Sequence, residues 1–180
     1  MNLPPVPTLP EAEVRSLVQE FNSLPRRHIV PTGPEPNHWV FGLHVVPIPP
    51  AGYLLFLVNP ASRLVHGLGP LPIETRPLSA EEAHDRAVKV AVLLLKAFVS
   101  KLGRTDAPEH HKVAPWDWAA EDAELAAAVG GALRALGVRT ELCNVGTATE
   151  HERNYSTEAF TKFLENLVRN MRAAREARST

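Results

Sequence analysis

A chain of 180 residues, 44% hydrophobic and 22% charged, is long enough for one domain with a sizeable core, and its net charge of −1 gives no global field toward nucleic acid or an anionic membrane. A single cysteine, Cys143, excludes an internal disulfide framework and a cysteine-based zinc site. The opening ten residues have neither a basic region nor an apolar core, and the longest apolar run, 88–99, is broken by Lys89 and Lys96; the expectation is a soluble intracellular protein, cytoplasmic or nuclear, with no signal peptide and no membrane span.

Proline sets the character of the N-terminal quarter. Of 17 prolines, 11 fall within the first fifty residues, and a fixed φ with no N–H to donate argues against regular structure there. Residues 1–37 read as a proline-rich arm with one short helix. Its extended segments, 1–9 and 25–37, lie on the domain. The helix occupies 11–24, where Val14, Leu17, Val18 and Phe21 recur at helical spacing and Thr8 is a candidate cap. Residues 39–46 form a strand closed by Pro47. Residues 53–58 are almost continuously apolar, as suits a strand covered on both faces. A turn at Asn59-Pro60-Ala61-Ser62 returns the chain into a hairpin partner over 63–68.

Ser79-Ala80-Glu81-Glu82 is a capping box, in which serine takes the third helical N–H and glutamate reaches back to the serine N–H. The helix it opens runs through Val90, Leu94, Leu95 and Phe98 and stops at Gly103. A short strand follows at 112–116, then an amphipathic helix at 121–136 with Gly137 as its stop. Residues 138–145 read as a further strand. Ser156 caps a last helix whose face is Phe160, Phe163, Leu164, Leu167 and Met171. A single α/β domain is expected over 38–171, followed by a basic tail over 172–180.

One helix, three strands in meander, then helix–strand–helix–strand–helix is the element order of the ribonuclease H-like fold. That fold is a three-layer α/β arrangement with a mixed sheet of about five strands and helices on both faces. Tyr53-Leu54-Leu55-Phe56-Leu57-Val58-Asn59 followed by Ser62-Arg63-Leu64-Val65 resembles the opening hairpin of integrase and transposase cores. Residues 115–146, with Glu121-Asp122-Ala123-Glu124-Leu125, Leu136-Gly137-Val138 and Glu141-Leu142-Cys143, look like an uncharacterised domain of fungal proteins that often accompanies a MYND-type zinc finger. The integrase-like resemblance implies three carboxylates holding two divalent metals about 4 Å apart over a phosphate. The first belongs in the opening strand near Gly42, whose neighbours Phe41, Leu43 and His44 are not acids, and the hairpin turn holds a neutral Asn59. The second falls near 115–117, where Asp117 is available, and the third on the late helix, where Glu158 or Glu165 could serve. With the first ligand missing, the reading is a degenerate, non-nuclease version of the fold, with no cofactor and no metal.

Three further features carry chemistry. His110-His111, Trp116-Asp117-Trp118 and Glu121-Asp122 form a dense polar–aromatic group, and His111, Asp117 and Glu121 are candidate acid–base residues of a hydrolase. Its plain structural explanation is a solvated loop followed by acids at the positive end of a helix dipole. His44 and His66, in neighbouring strands, could face one another. Cys143 reads as a small core residue, and Gly130-Gly131 as a close-packing site within a helix rather than a phosphate loop. Arg169, Arg172, Arg175 and Arg178, spaced by three, form a candidate binding stripe for phosphate or an acidic partner; offsetting the helix dipole explains them equally. The leading expectation is an interaction or scaffold module with a protein partner, reached in part through the proline-rich arm. A non-cleaving nucleic-acid binder using the arginine helix ranks below it, and no membrane partner is expected.

Overall fold

The second and third strands are hydrogen-bonded as an antiparallel meander with the first, and the fourth and fifth are laid against the first strand's other edge. The computed structural model describes residues 9–179, as α1 (Glu11–Ser23), β1 (His38–Val46), β2 (Gly52–Val58), β3 (Val65–Leu71), α2 (Ala80–Val99), β4 (Asp117–Ala120), α3 (Ala123–Leu136), β5 (Gly146–Thr147) and α4 (Glu150–Arg178), with short 3-10 turns at Glu109–His111 and Thr140–Leu142. The five strands form one mixed sheet in the order β3-β2-β1-β4-β5. β2 is antiparallel to β1 and β3, whereas β4 is parallel to both β1 and β5. The α/β class, the five-stranded mixed sheet and the sequential order of the elements are as the sequence suggests. Among the described residues no helix is long and apolar enough to cross a membrane.

Strand alternation divides the sheet's two faces. Trp39 and Phe41 of β1, Leu55 and Leu57 of β2 and Trp118 of β4 pack with Phe21, Leu94, Leu95, Phe98 and Leu133 from α1, α2 and α3. Val40, Phe56, Val58 and Ala119 form the opposite face, covered by Phe160 of α4. Ser79 Oγ accepts from the Glu82 N–H at 3.2 Å and starts α2, and the Glu82 carboxylate, which the Ser79 backbone N–H also approaches, is engaged chiefly by Arg76. Asp122 caps α3 through the Leu125 N–H at 2.7 Å, and Gly137, at φ 85°, ends it in the left-handed conformation.

Several expectations are corrected. Residues 112–116 are not a strand; they run extended beside 25–26, with an isolated bridge between Arg26 and Ala114, and the strand is the next four residues. Residues 138–145 are not a strand either. The Thr140–Leu142 turn buries Leu142 and Cys143, Trp118 Nε1 donates to Leu142 O at 2.8 Å, and β5 is confined to two residues. α4 opens two turns before Ser156, with Thr149 as its cap, and Ser156 is buried inside the helix. α4 also runs on to Arg178, so the expected boundary at 171/172 falls within it. α1 is integral to the core through Val18 and Phe21. The 25–37 segment does lie on the domain, whereas the proline-rich stretch 1–8, with Thr8, falls outside the described residues.

Candidate functional site

The seam between the parallel strands β1 and β4 gathers the polar residues. Register pairs His38 with Asp117 and Phe41 with Ala120. The Glu121 N–H then donates to Phe41 O at 2.9 Å, which continues the ladder by one step and brings the Glu121 side chain over Gly42. A Cβ on Gly42 would stand 1.3 Å from Glu121 Oε2, so this position requires glycine while the carboxylate is there. Glu121 Oε2 lies 2.8 Å from His44 Nε2, two residues further along β1 on the same face. The contact is electrostatic more than a hydrogen bond, because the ring nitrogen is cut off from solvent but not aligned with the oxygen. Both side chains are nearly covered, at 15% and 16% exposure. The His44 ring stacks on Phe160 of α4 at 4.5 Å and meets the Phe56 ring edge-on at 5.8 Å.

At the other end of the seam His38 holds two acids with its two ring nitrogens. Nδ1 is 2.7 Å from Asp117 Oδ1 and Nε2 is 3.1 Å from Glu152 Oε2, in the first turn of α4. Burial alone would lower the His38 pKa, but hydrogen bonds to Glu152 and Asp117 and their two negative charges together raise it. An imidazole with both nitrogens engaged has no lone pair for a metal, and its two carboxylates stand on opposite sides of the ring. Among the described residues no three His, Cys, Asp or Glu side chains converge as a metal site.

The sequence-derived candidates are distributed over the molecule. Asp117 and Glu121 bracket β4, four residues or about 13 Å apart along the strand. His111 lies on the Glu109–His111 turn, beside the end of α2. Its pKa is lowered by burial and by the positive charges of His110, Arg104 and Lys101. These three residues are therefore not one site. Glu158 is exposed on α4 and paired with Lys162, and Glu165 is also exposed. His44 and His66 occupy opposite faces, since His66 pairs in register with Leu57 of the α2-side core; burial lowers the His66 pKa. Cys143 is buried, its thiol pKa raised chiefly by that burial. Arg169, Arg172 and Arg175 lie on the exposed final turns of α4. Arg172 and Arg175 wall a groove of about 270 Å³ whose floor is Ile48, Val168 and Met171.

Asn59 has a structural assignment. It is fully buried, its Nδ2 donates to Pro36 O at 2.9 Å, and its Oδ1 accepts from the N–H groups of Ala61 and Ser62 at 3.1 and 3.0 Å. Only an amide both donates and accepts there. Outside the carboxyl ends of β1 and β4 is a cleft of about 510 Å³, the place where open α/β sheets take ligands. Of its polar lining groups, Glu121 faces His44, Asp122 caps α3, and Arg86 is paired with Glu74 at 2.7 Å.

Sequence reasoning missed His38 and Glu152. Thr149 followed three residues later by Glu152 is itself a capping signal and would have located the first turn of α4. The chain matches no family model, and comparison with curated proteins and with solved structures returns no match.

Proposed function

We propose that this chain is a ribonuclease H-like domain that has lost nuclease chemistry and acts as a protein interaction or scaffold module. Two features support the fold assignment: the strand order β3-β2-β1-β4-β5, and the orientations, with β2 antiparallel and β4 parallel to β1.

The observation that carries the loss of chemistry is the filled seam. A two-metal nuclease needs carboxylates that leave space between them for two cations about 4 Å apart. Here β1 offers Gly42, and the carboxylate of Glu121 occupies the volume where a β1 side chain would begin. His44 and Phe160 close the remainder from β1 and α4. The residues present do not fit a pair of divalent cations, and no hydrolytic step is derived through them. For a binding role, the support is the exposed end of α4, where Val168 and Met171 lie beside unshielded arginines.

The test is melting in Mn²⁺, Mg²⁺ and Zn²⁺ together with incubation on single- and double-stranded DNA and RNA. No metal-specific stabilisation and no cleavage are expected. Metal-dependent cleavage abolished by Glu121→Gln overturns the reading. Binding of uncleaved nucleic acid with a steep salt dependence, lost on reversing Arg172 and Arg175, selects the nucleic-acid alternative.

A further inference from the structure

We propose that the pocket between the end of α2 and the Glu109–His111 turn is a binding site for a halide-sized inorganic anion. α2 ends with two consecutive non-glycine residues in the left-handed region, Lys101 at φ 55° and Leu102 at φ 56°. The chain doubles back there and returns Arg104 to a small cavity of about 20 Å³, floored by Trp39 and Phe98 and rimmed by Lys101, Arg104 and His111. Backbone held in a sparsely populated region is a recurrent feature of ligand clamps.

Two buried nitrogens on this one cavity lack a partner. Arg104 Nε and His111 Nδ1 are both cut off from solvent with no acceptor within reach. A buried donor without an acceptor is costly, so Arg104 Nε calls for an acceptor inside the cavity, and His111 Nδ1 adds a second donor in the tautomer or charge state that carries its proton there. The other polar groups are accounted for. Lys101 Nζ donates to Ala107 O at 2.8 Å and to Glu109 Oε1 at 3.2 Å. Asn37 Nδ2 donates to Arg27 O and Ala114 O, while its Oδ1 accepts from Trp39 Nε1.

Charge and size then select the occupant. Lys101 and Arg104 bring two permanent positive charges, and the one carboxylate against them, Glu109, is paired with Lys101. Among the described residues no carboxylate lies within ion-pair distance of Arg104. An anion answers both the charge and the donors, whereas water answers only the donors. A cavity needs about 10–15 Å³ to hold one water, so this one admits a single small ion and is too small for sulfate, phosphate or an organic acid. Burial and the positive charges of His110, Arg104 and Lys101 lower the His111 pKa, a shift that a bound anion opposes.

Melting in sodium chloride is compared with melting in sodium gluconate at equal ionic strength, gluconate being too large to enter. Chloride at ten times its Kd lowers the unfolded-to-folded ratio about elevenfold relative to gluconate, and Arg104→Met removes that increment. Equal melting in the two salts, or an undiminished chloride increment in Arg104→Met, overturns the site. If Arg104→Met does not fold, bromide quenching of wild-type tryptophan fluorescence decides, because Trp39 lines the pocket. A saturable quenching component displaced by chloride is expected; strictly linear quenching that chloride leaves unchanged refutes it.

Discussion

Gly42→Ala is the smallest perturbation that tests whether the β1–β4 seam is closed by protein. The added methyl would stand 1.3 Å from Glu121 Oε2 and 2.3 Å from its Cδ, so the carboxylate must leave. Its departure breaks the 2.8 Å contact with His44, whose ring nitrogen already lacks a hydrogen bond, and forces a packed side chain into a new position. Admitting a methyl into a filled space in this way costs about 1–3 kcal/mol. Replacing a strand glycine by alanine returns about 0.5–1 kcal/mol. The net expectation is a destabilisation centred on about 1 kcal/mol, read as a fall in melting temperature of roughly 2–4 °C for a chain of this size. In a Glu121→Ala background the obstruction is gone, and the same substitution should stabilise by about 0.5–1 kcal/mol. Urea unfolding of the four proteins of this cycle, with unchanged m-values, should therefore give a coupling energy of about 1–3 kcal/mol between positions 42 and 121. Effects that add to within about 0.5 kcal/mol would mean that Glu121 does not occupy the space above Gly42, and the closed-seam argument would fall with it.

Four other substitutions follow from equally local geometry. Asn59→Asp removes the donor to Pro36 O and sets a charged oxygen against that carbonyl; a loss of about 2–3 kcal/mol is expected at neutral pH, shrinking near pH 4 where the protonated acid can donate again, as urea unfolding at the two pH values will read. Gly130→Ala places a methyl 2.8 Å from Cys143 O and should destabilise by about 1–3 kcal/mol, whereas Gly131→Ala, facing open space, should stabilise by about 0.8–1 kcal/mol; equal melting shifts for the pair would contradict the packing of α3. The His38 pKa is raised on folding, so its clamp contributes fully below the ordinary value of 6.5 and fades as the pH rises through the folded value. The stability difference between wild type and His38→Gln should accordingly shrink from pH 6 to pH 8.5, and a difference independent of pH would show that the ring is not held as a cation.

What was legible in the chain was the part governed by neighbours in sequence. Helical periodicity and the Ser79 cap located α2, the continuous apolar run located β2, and Gly137 marked the end of α3. The misread strands failed for a physical reason. β4 is covered on both faces, by α4 on one side and the α1–α3 layer on the other, so small residues, Ala119 and Ala120, suit it and no alternation of two announces it. The apolar residues of 138–145 are buried by a 3-10 turn, and burial in a turn leaves the same composition as burial in a strand. The seam itself was out of reach, because it depends on the register of two strands some 80 residues apart. His38 meets Asp117 at a separation of 79, and Glu152 at 114.

The two histidine contacts of the seam perform one task from its two ends. His38 ties β1 and β4 to the first turn of α4 through Glu152, and His44 ties β1 to the residue after β4 while presenting its ring to Phe160, eight residues further along the same helix. α4 is thus seated through its N-terminal third by imidazoles on β1, over a face that Val40, Phe56, Val58 and Ala119 make largely apolar. This explains why Asp117 and Glu121 occupy such suggestive positions without converging on one another. Asp117 and Glu121 each have an imidazole partner, and each partner also fixes the helix that covers them. Releasing either acid for chemistry would loosen α4, so a single substitution that frees a carboxylate should appear first as lost stability. Activity could follow only from a change that freed the acids and re-seated the helix together.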